Sequence, residues 1–282
     1  MACWSWGDPN AAHVVLCVHG LTRQGRDFDR LAQGLLARAK RPLRVVCPDV
    51  AGRGRSEWLP QASLYQVPQY ASDMLALLGA LHKGAPITTL DWVGTSMGGL
   101  IGMVLAGQPQ LPLPTPLRRL VLNDVGPAIA WPSVQRMQAY VGRYGRYPDL
   151  ASAAAFMREL SAGFGPVPDE IWLELSRPML RPDPAGGWTL HYDPAIGDPI
   201  RATTPEAAVS GENLLWTLYE QIRAEVLLIR GAESDLLLSE TAQAMTLRGP
   251  RAHLLEWPGI GHAPTLTAPE QIEAVADFVL RD

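Results

Sequence analysis

Three short stretches of this chain carry residue types that could perform nucleophilic chemistry together. The first is Gly94-Thr95-Ser96-Met97-Gly98, a G-x-S-x-G pattern. It lies between the β-branched and apolar run Thr88 to Trp92, which reads as a strand, and the small and aliphatic run Gly98 to Ala106, which reads as a helix. So tight a strand-to-helix turn forces its central residue into a strained backbone conformation and tolerates only small neighbours, which Gly94, Gly98 and Gly99 supply. Such a turn lifts the Ser96 hydroxyl clear of the sheet edge and aims the Met97 amide at the place where an oxyanion would form.

A serine hydroxyl is a poor nucleophile at neutral pH and needs a base beside it. Of the six histidines, His13, His82, His191 and His253 sit where ordinary structural roles suffice, and His19, next to Gly20, suits the shaping of a loop through backbone hydrogen bonds. His262 is different. It lies in Trp257-Pro258-Gly259-Ile260-Gly261-His262-Ala263-Pro264, a loop that follows the last expected strand and can deliver one imidazole over a sheet edge. That imidazole in turn needs a carboxylate to fix its tautomer and stabilise its charged form. Asp235, a short turn after the expected strand Val226 to Arg230, is the first choice, and the order Ser96, Asp235, His262 fits such a site. Asp124 is the alternative acid, since it also stands just past the C-terminal end of a strand, Leu117 to Leu122; Glu233 reads as a solvated loop charge.

The elements that must hold these residues alternate. Strands are expected at His13 to Val18 and Leu43 to Cys47, with a short edge strand at Cys3 to Ser5, and helices at Phe28 to Lys40 and Gln69 to Leu81. After Asn123-Asp124-Val125-Gly126-Pro127 the alternation stops. From Ile129 to Thr204 come prolines, aromatics and short helices (Ser133 to Arg143, Leu150 to Ala162, Pro168 to Met179), then an irregular stretch from Arg181 to Pro205. Alternation resumes with helix Glu212 to Arg223, strand Val226 to Arg230, helix Ser239 to Leu247, strand His253 to Trp257 and helix Pro269 to Leu280. Strands alternating with helices on both sides of an insertion imply a mostly parallel α/β sheet carrying a cap.

With 282 residues, 47% of them hydrophobic and 18% charged, the chain can bury a large core. Its net charge of −4, with no basic run longer than Lys40-Arg41 or Arg118-Arg119, argues against a nucleic acid or an anionic membrane as partner. Cys3, Cys17 and Cys47 have neither metal-site nor C-x-x-C spacing, and Cys17 and Cys47 read as small buried hydrophobes in a reducing compartment. No signal peptide is visible in Met1 to Trp6 and no apolar run is long enough to span a bilayer, so a cytoplasmic location is expected. No cofactor or metal is expected either. Gly52-Arg53-Gly54-Arg55-Ser56-Glu57 places a glutamate where the third glycine of a dinucleotide fingerprint belongs, and no histidine pair has zinc-ligand spacing.

Taken together these motifs resemble the serine-dependent α/β-hydrolases, over nearly the whole length from Trp4 onward. His19-Gly20-Leu21 resembles the oxyanion loop of that family, Gly94 to Gly98 its nucleophile elbow, Asp235 its acid loop and Gly261-His262 its base loop; Asp49 to Ser56 resembles a structural D-x-x-G-x-G-x-S turn. The resemblance implies an α/β-hydrolase sheet with helices on both faces, its core formed by residues 1–128 and 205–282. It also implies a mainly helical lid over 129–204, inserted between strands six and seven, with the family's first edge strand omitted. It implies that the amides of Leu21 and Met97 form the oxyanion hole. The expected function is then cleavage of carboxylic esters of small, largely apolar substrates through an acyl-enzyme, with amide, peptide, lactone or thioester hydrolysis, or a slow-turnover ligand receptor, as alternatives. Aromatics of the lid are expected to line the pocket, with Trp131 and Trp172 first and Tyr144 among the others, and Arg23 could reach a polar end of the substrate.

Overall fold

The computed structural model describes residues 1–143 and 145–281; Tyr144 lies outside the described residues. The first half of the chain forms β1 (Cys3–Gly7), β2 (His13–Val18), α1 (Asp29–Arg38), β3 (Arg44–Pro48), α2 (Val67–Gly84), β4 (Thr89–Thr95), α3 (Met97–Ala106) and β5 (Leu117–Asn123). A segment rich in short elements follows: α4 (Trp131–Tyr140), α5 (Leu150–Leu160), α6 (Asp169–Ser176), β6 (Leu180–Pro182), β7 (Trp188–Leu190) and α7 (Gly197–Arg201). The chain ends with α8 (Pro205–Gln221), β8 (Glu225–Gly231), α9 (Ser239–Leu247), β9 (His253–Trp257) and α10 (Pro269–Leu280).

Seven strands form one sheet in the order β1-β3-β2-β4-β5-β8-β9. Only β1 is antiparallel, paired along its length with β3; the other neighbours are parallel. The residues of β2 explain why its run is apolar throughout. Val14, Leu16 and Val18 face one core with α2, α3 and α8, while Val15 and Cys17 face a second core with α1 and α10. A strand buried on both faces has no position left for a polar side chain. Cys17 and Cys47 are free thiols in that second core, as their apolar surroundings lead one to expect.

The α/β-hydrolase sheet expected from the sequence is therefore present, and its helices cover both faces. Three details differ. By this chain's own count the segment α4 to α7 falls between the fifth and sixth strands of the main sheet, β5 and β8, because the sheet has seven strands. The stretch expected to be irregular contains a hairpin, β6 against β7, closed around the turn at Gly186 and Gly187, both at positive φ. And α8 starts at Pro205 rather than Glu212, with Thr204 capping it by accepting from the Ala207 amide.

The order of the sheet decides what meets at its upper edge. β4 sits between β2 and β5, and β5 between β4 and β8. The C-terminal ends of these parallel strands deliver His19, Ser96, Asp124 and the β8 turn side by side, which is where open α/β sheets place their ligand sites.

Candidate active site

Ser96 stands between β4 and α3 with φ 50° and ψ −116°, the strained conformation the motif requires. The glycines around it leave no room for side chains. A Cβ on Gly94 would lie 2.4 Å from the backbone of Gly98, and one on Gly98 would lie 1.9 Å from the Val18 carbonyl. The local sequence thus folds the elbow in the only way its contacts allow.

His262 lies over this turn. Its Nε2 is 3.0 Å from Ser96 Oγ, so the hydroxyl can donate to it. Its Nδ1 is 2.6 Å from Asp124 Oδ2, and since a carboxylate only accepts, this nitrogen carries the proton. Asp124 is fully buried. Its other contacts are the Gly231 amide, which donates to Oδ1 at 2.8 Å, and the Ser234 hydroxyl, which donates to Oδ2 at 2.6 Å. A φ of 55° turns the chain just after β5 so that the carboxylate faces β8 and the His262 loop together.

The structure thus gives the imidazole Asp124 as its carboxylate, not Asp235. Asp235 is exposed, and its carboxylate is held by the Arg136 guanidinium of α4. The residue one before it, Ser234, is the one turned inward, onto Asp124. The loop after β8 therefore supports the acid and does not supply it.

Leu21 and Met97, the two expected oxyanion donors, both line the groove at Ser96. Met97 is the first residue of α3, so its N–H has no partner within the helix. The Leu21 amide finds no backbone acceptor among the described residues. Two buried groups fix the Leu21 loop. His19 Nδ1–H donates to the Gly20 carbonyl at 2.7 Å while its Nε2 accepts from the Val50 amide at 2.9 Å. Burial pushes the pKa of His19 down to about 3, so it keeps this neutral bonding pattern. The guanidinium of Arg53, also fully buried, donates to the Leu21 carbonyl at 2.8 Å and to Tyr70 Oη at 2.9 Å, and its Nη2 lies 3.5 Å from Met97 Sδ. Nothing in the sequence singled out Arg53, which sits in the Asp49 to Ser56 turn. The one available signal was an arginine among glycines directly after a buried strand. Asp49 holds that turn closed by accepting from the amides of Gly25 and Arg55.

Two cavities meet at Ser96, sharing Leu21, Met137 and Leu236 as walls. One is a crevice of about 150 Å³ that reaches His262 and is roofed by residues of α4, α5 and the hairpin, among them Met137, Tyr140, Met157 and Leu190. The other is a groove of about 800 Å³ that runs past Met97, Leu100, Val125 and Ile200 without touching His262. The segment between β5 and α8 is tied to the base loop as well as lying above it, since the Gly261 amide donates to the Gly163 carbonyl at 2.7 Å.

Arg23 does line the crevice, but its guanidinium forks onto Asp27 at 2.7 and 2.9 Å. Neither expected tryptophan lines either cavity at Ser96. Trp172 is buried between α5 and α6, where its indole N–H donates to the Ala154 carbonyl at 2.8 Å and its ring meets Phe164 edge-on. Trp131 opens α4 on the far side and faces a separate surface hollow with Trp216 and Val209. The position of Trp172 follows from size, because a large ring is what closes the gap between small helices. Among the described residues no group of three or more His, Cys, Asp or Glu is placed to hold a metal ion, and no helix is long and apolar enough to cross a membrane.

A seven-stranded sheet of this order, with an elbow serine hydrogen-bonded to a histidine at its upper edge, defines a class, and the chain belongs to the Alpha/beta hydrolase family, whose sequence model matches residues 15–275. It is a hydrolase. Among its relatives is a 3-hydroxybutyrate-oligomer hydrolase from Cupriavidus necator, 48% identical over 281 residues, covering 99% of this chain and 92% of that protein. An alpha/beta hydrolase from Novosphingobium aromaticivorans, known from its crystal structure, is 32% identical with a TM-score of 0.81, covering 98% of this chain and 92% of that one. A crystallised chain from Rickettsia typhi is 30% identical with a TM-score of 0.85, covering 98% and 89%.

Proposed function

We propose that this chain is a serine esterase that hydrolyses short linear oligomers of 3-hydroxybutyrate. The observation that carries the reading is the continuous hydrogen-bonded line Asp124–His262–Ser96, opening on two cavities lined largely by apolar side chains. The extensive likeness to the Cupriavidus necator hydrolase supports the choice of substrate. The repeating unit of such an oligomer is short, branched by a methyl group and linked by esters, so it needs apolar walls and one polarising site per cut.

In the proposed chemistry His262 Nε2 takes the proton of Ser96 as Oγ attacks the ester carbonyl. The developing negative charge rests on the amides of Leu21 and Met97. The carbon–oxygen bond to the alcohol then breaks, and His262 returns its proton to the departing oxygen. Water, deprotonated by the same nitrogen, releases the acyl group from Ser96. Asp124 holds the tautomer throughout, and its other two donors keep it from rotating away. The same residues would serve simple esters, a carboxylesterase activity. The region 129–204 acts as the lid that shapes the substrate's surroundings.

The test is chromatographic: the linear trimer of 3-hydroxybutyrate and p-nitrophenyl butyrate are incubated with the protein and with Ser96→Ala. Cleavage of both substrates, reduced on the order of 10⁴-fold or more in kcat by the substitution, is expected. Full activity in Ser96→Ala, or a fluorophosphonate label carried by another serine, would remove Ser96 from the reaction.

A further inference from the structure

The two cavities at Ser96 differ in charge as well as in size. Among the described residues the only acidic one lining the crevice is Asp27, whereas three arginines, Arg23, Arg136 and Arg143, line its walls. Two of them are already engaged, Arg23 with Asp27 and Arg136 with Asp235. Arg143, just past the C-terminal end of α4, pairs with no carboxylate among the described residues. The groove is the reverse: among the described residues its only charged lining ones are Asp198 and Glu212.

The histidine decides which cavity takes which half of the ester. The leaving oxygen must come within reach of the proton on His262, and His262 borders the crevice alone. The alcohol half therefore departs into the arginine-lined crevice, and the acyl half lies along the groove beyond Met97.

Resting on the reading of the protein as an esterase of 3-hydroxybutyrate oligomers, we infer that Arg143 binds the terminal carboxylate of the substrate, so that the chain is shortened one hydroxy acid at a time from its carboxyl end. In an oligomer of hydroxy acids the alcohol half of the last ester is the unit that carries the free carboxylate. The crevice is matched to it in charge and in size, since a cavity of about 150 Å³ holds a single compact molecule of about benzene's dimensions. The groove, at about 800 Å³, takes the several units on the acyl side, and its two acids disfavour the charged end there. The bonds balance as in any acyl transfer. Ser96 Oγ joins the carbonyl of the penultimate unit, the terminal unit leaves as a hydroxy acid carrying the proton from His262, and water then frees the shortened oligomer.

The experiment uses the linear trimer as its free acid, the same trimer ending in a carboxamide, and a free-acid trimer isotopically labelled in its hydroxyl-end unit. A charge-assisted contact of this kind favours the free acid over the amide by about 10- to 100-fold in kcat/KM, mostly through KM. In Arg143→Gln that ratio should fall towards one, and Arg143→Lys should retain part of it. The first products from the labelled trimer should be unlabelled monomer and labelled dimer. Labelled monomer appearing first, equal rates on acid and amide, or a ratio unchanged in Arg143→Gln would each overturn the assignment while leaving oligomer hydrolysis standing. Turnover of p-nitrophenyl butyrate with neither trimer cut would instead overturn the oligomer substrate itself, and this inference with it.

Discussion

At the scale of single residues the instructive comparison is between two aspartates. Asp124 is buried, accepts three hydrogen bonds and touches the imidazole, whereas Asp235 is exposed and pairs with an equally exposed arginine. An exposed pair contributes about 0–1 kcal/mol and does not orient anything beneath it. The amide of an asparagine at 124 would donate to Nδ1, favour the wrong tautomer and lose the stabilisation of the imidazolium. Asp124→Asn should therefore lower kcat on the order of 10⁴-fold, while Asp235→Asn should change it little. Steady-state kinetics on p-nitrophenyl butyrate for both variants decides the matter, and the reverse outcome would return the acid to position 235. Arg53 belongs to the same scale. A buried cation bonded to the carbonyl of Leu21 fixes one of the two peptides expected to meet the oxyanion, from a turn that looked purely structural in the sequence.

At the scale of elements, the segment from α4 to α7 roofs the crevice at Ser96 with Met137, Tyr140, Met157, Phe164 and Leu190, while its Trp172 holds α5 and α6 together. Trp172 shows the division of labour. Its indole binds the Ala154 carbonyl of α5 and its face supports Phe164, which in turn lines the crevice. Removing such a ring from a buried site costs about 3–5 kcal/mol. Trp172→Ala should lower the melting temperature, and should reduce kcat/KM on acetate, butyrate, hexanoate and octanoate esters by a common factor. A shift in preferred acyl length would mean that the ring contacts substrate after all. The tie between Gly261 and Gly163 suggests why the loss would be common to all substrates, since loosening the roof also loosens the loop that carries His262.

Across the whole molecule, chemistry and stability occupy opposite ends of the sheet. The lower end has its own buried carboxylate, Asp91 near the start of β4. It accepts from the Arg118 guanidinium of β5 at 2.5 Å and from His13 Nε2–H of β2 at 2.7 Å. Arg118 also donates to the Val279 carbonyl at 2.7 Å, so the same cluster ties three neighbouring strands to α10. Asp91 is fully buried but Arg118 is 36% exposed, so removing the carboxylate leaves its partners within reach of water. Asp91→Ala should cost about 1–3 kcal/mol in urea unfolding, with kcat per folded molecule unaltered, because none of these groups reaches the upper edge. Loss of kcat without loss of stability would contradict that separation.

The sequence by itself determined the parts of this protein that rest on neighbours in the chain. Alternating apolar strands and amphipathic helices specified the layered sheet, with α9, β9 and α10 starting and ending where the residue patterns place them. The elbow was legible because its geometry depends on five consecutive residues, two of them glycines with no space for a Cβ. His262 was legible because its Gly/Pro loop follows the last strand and so brings an imidazole to the same sheet edge as the elbow serine. Only the tertiary structure decided which carboxylate reaches that histidine. Both aspartates follow strand ends, and the choice turns on β5 lying between β4 and β8, on a backbone twist at Asp124, and on an arginine 99 residues away that draws Asp235 outward. The fate of the large aromatics was equally out of reach, since a tryptophan that lines a pocket and one that fills a gap between helices have the same local sequence. What separates them is which neighbour fills the space first, and that is a property of long-range packing.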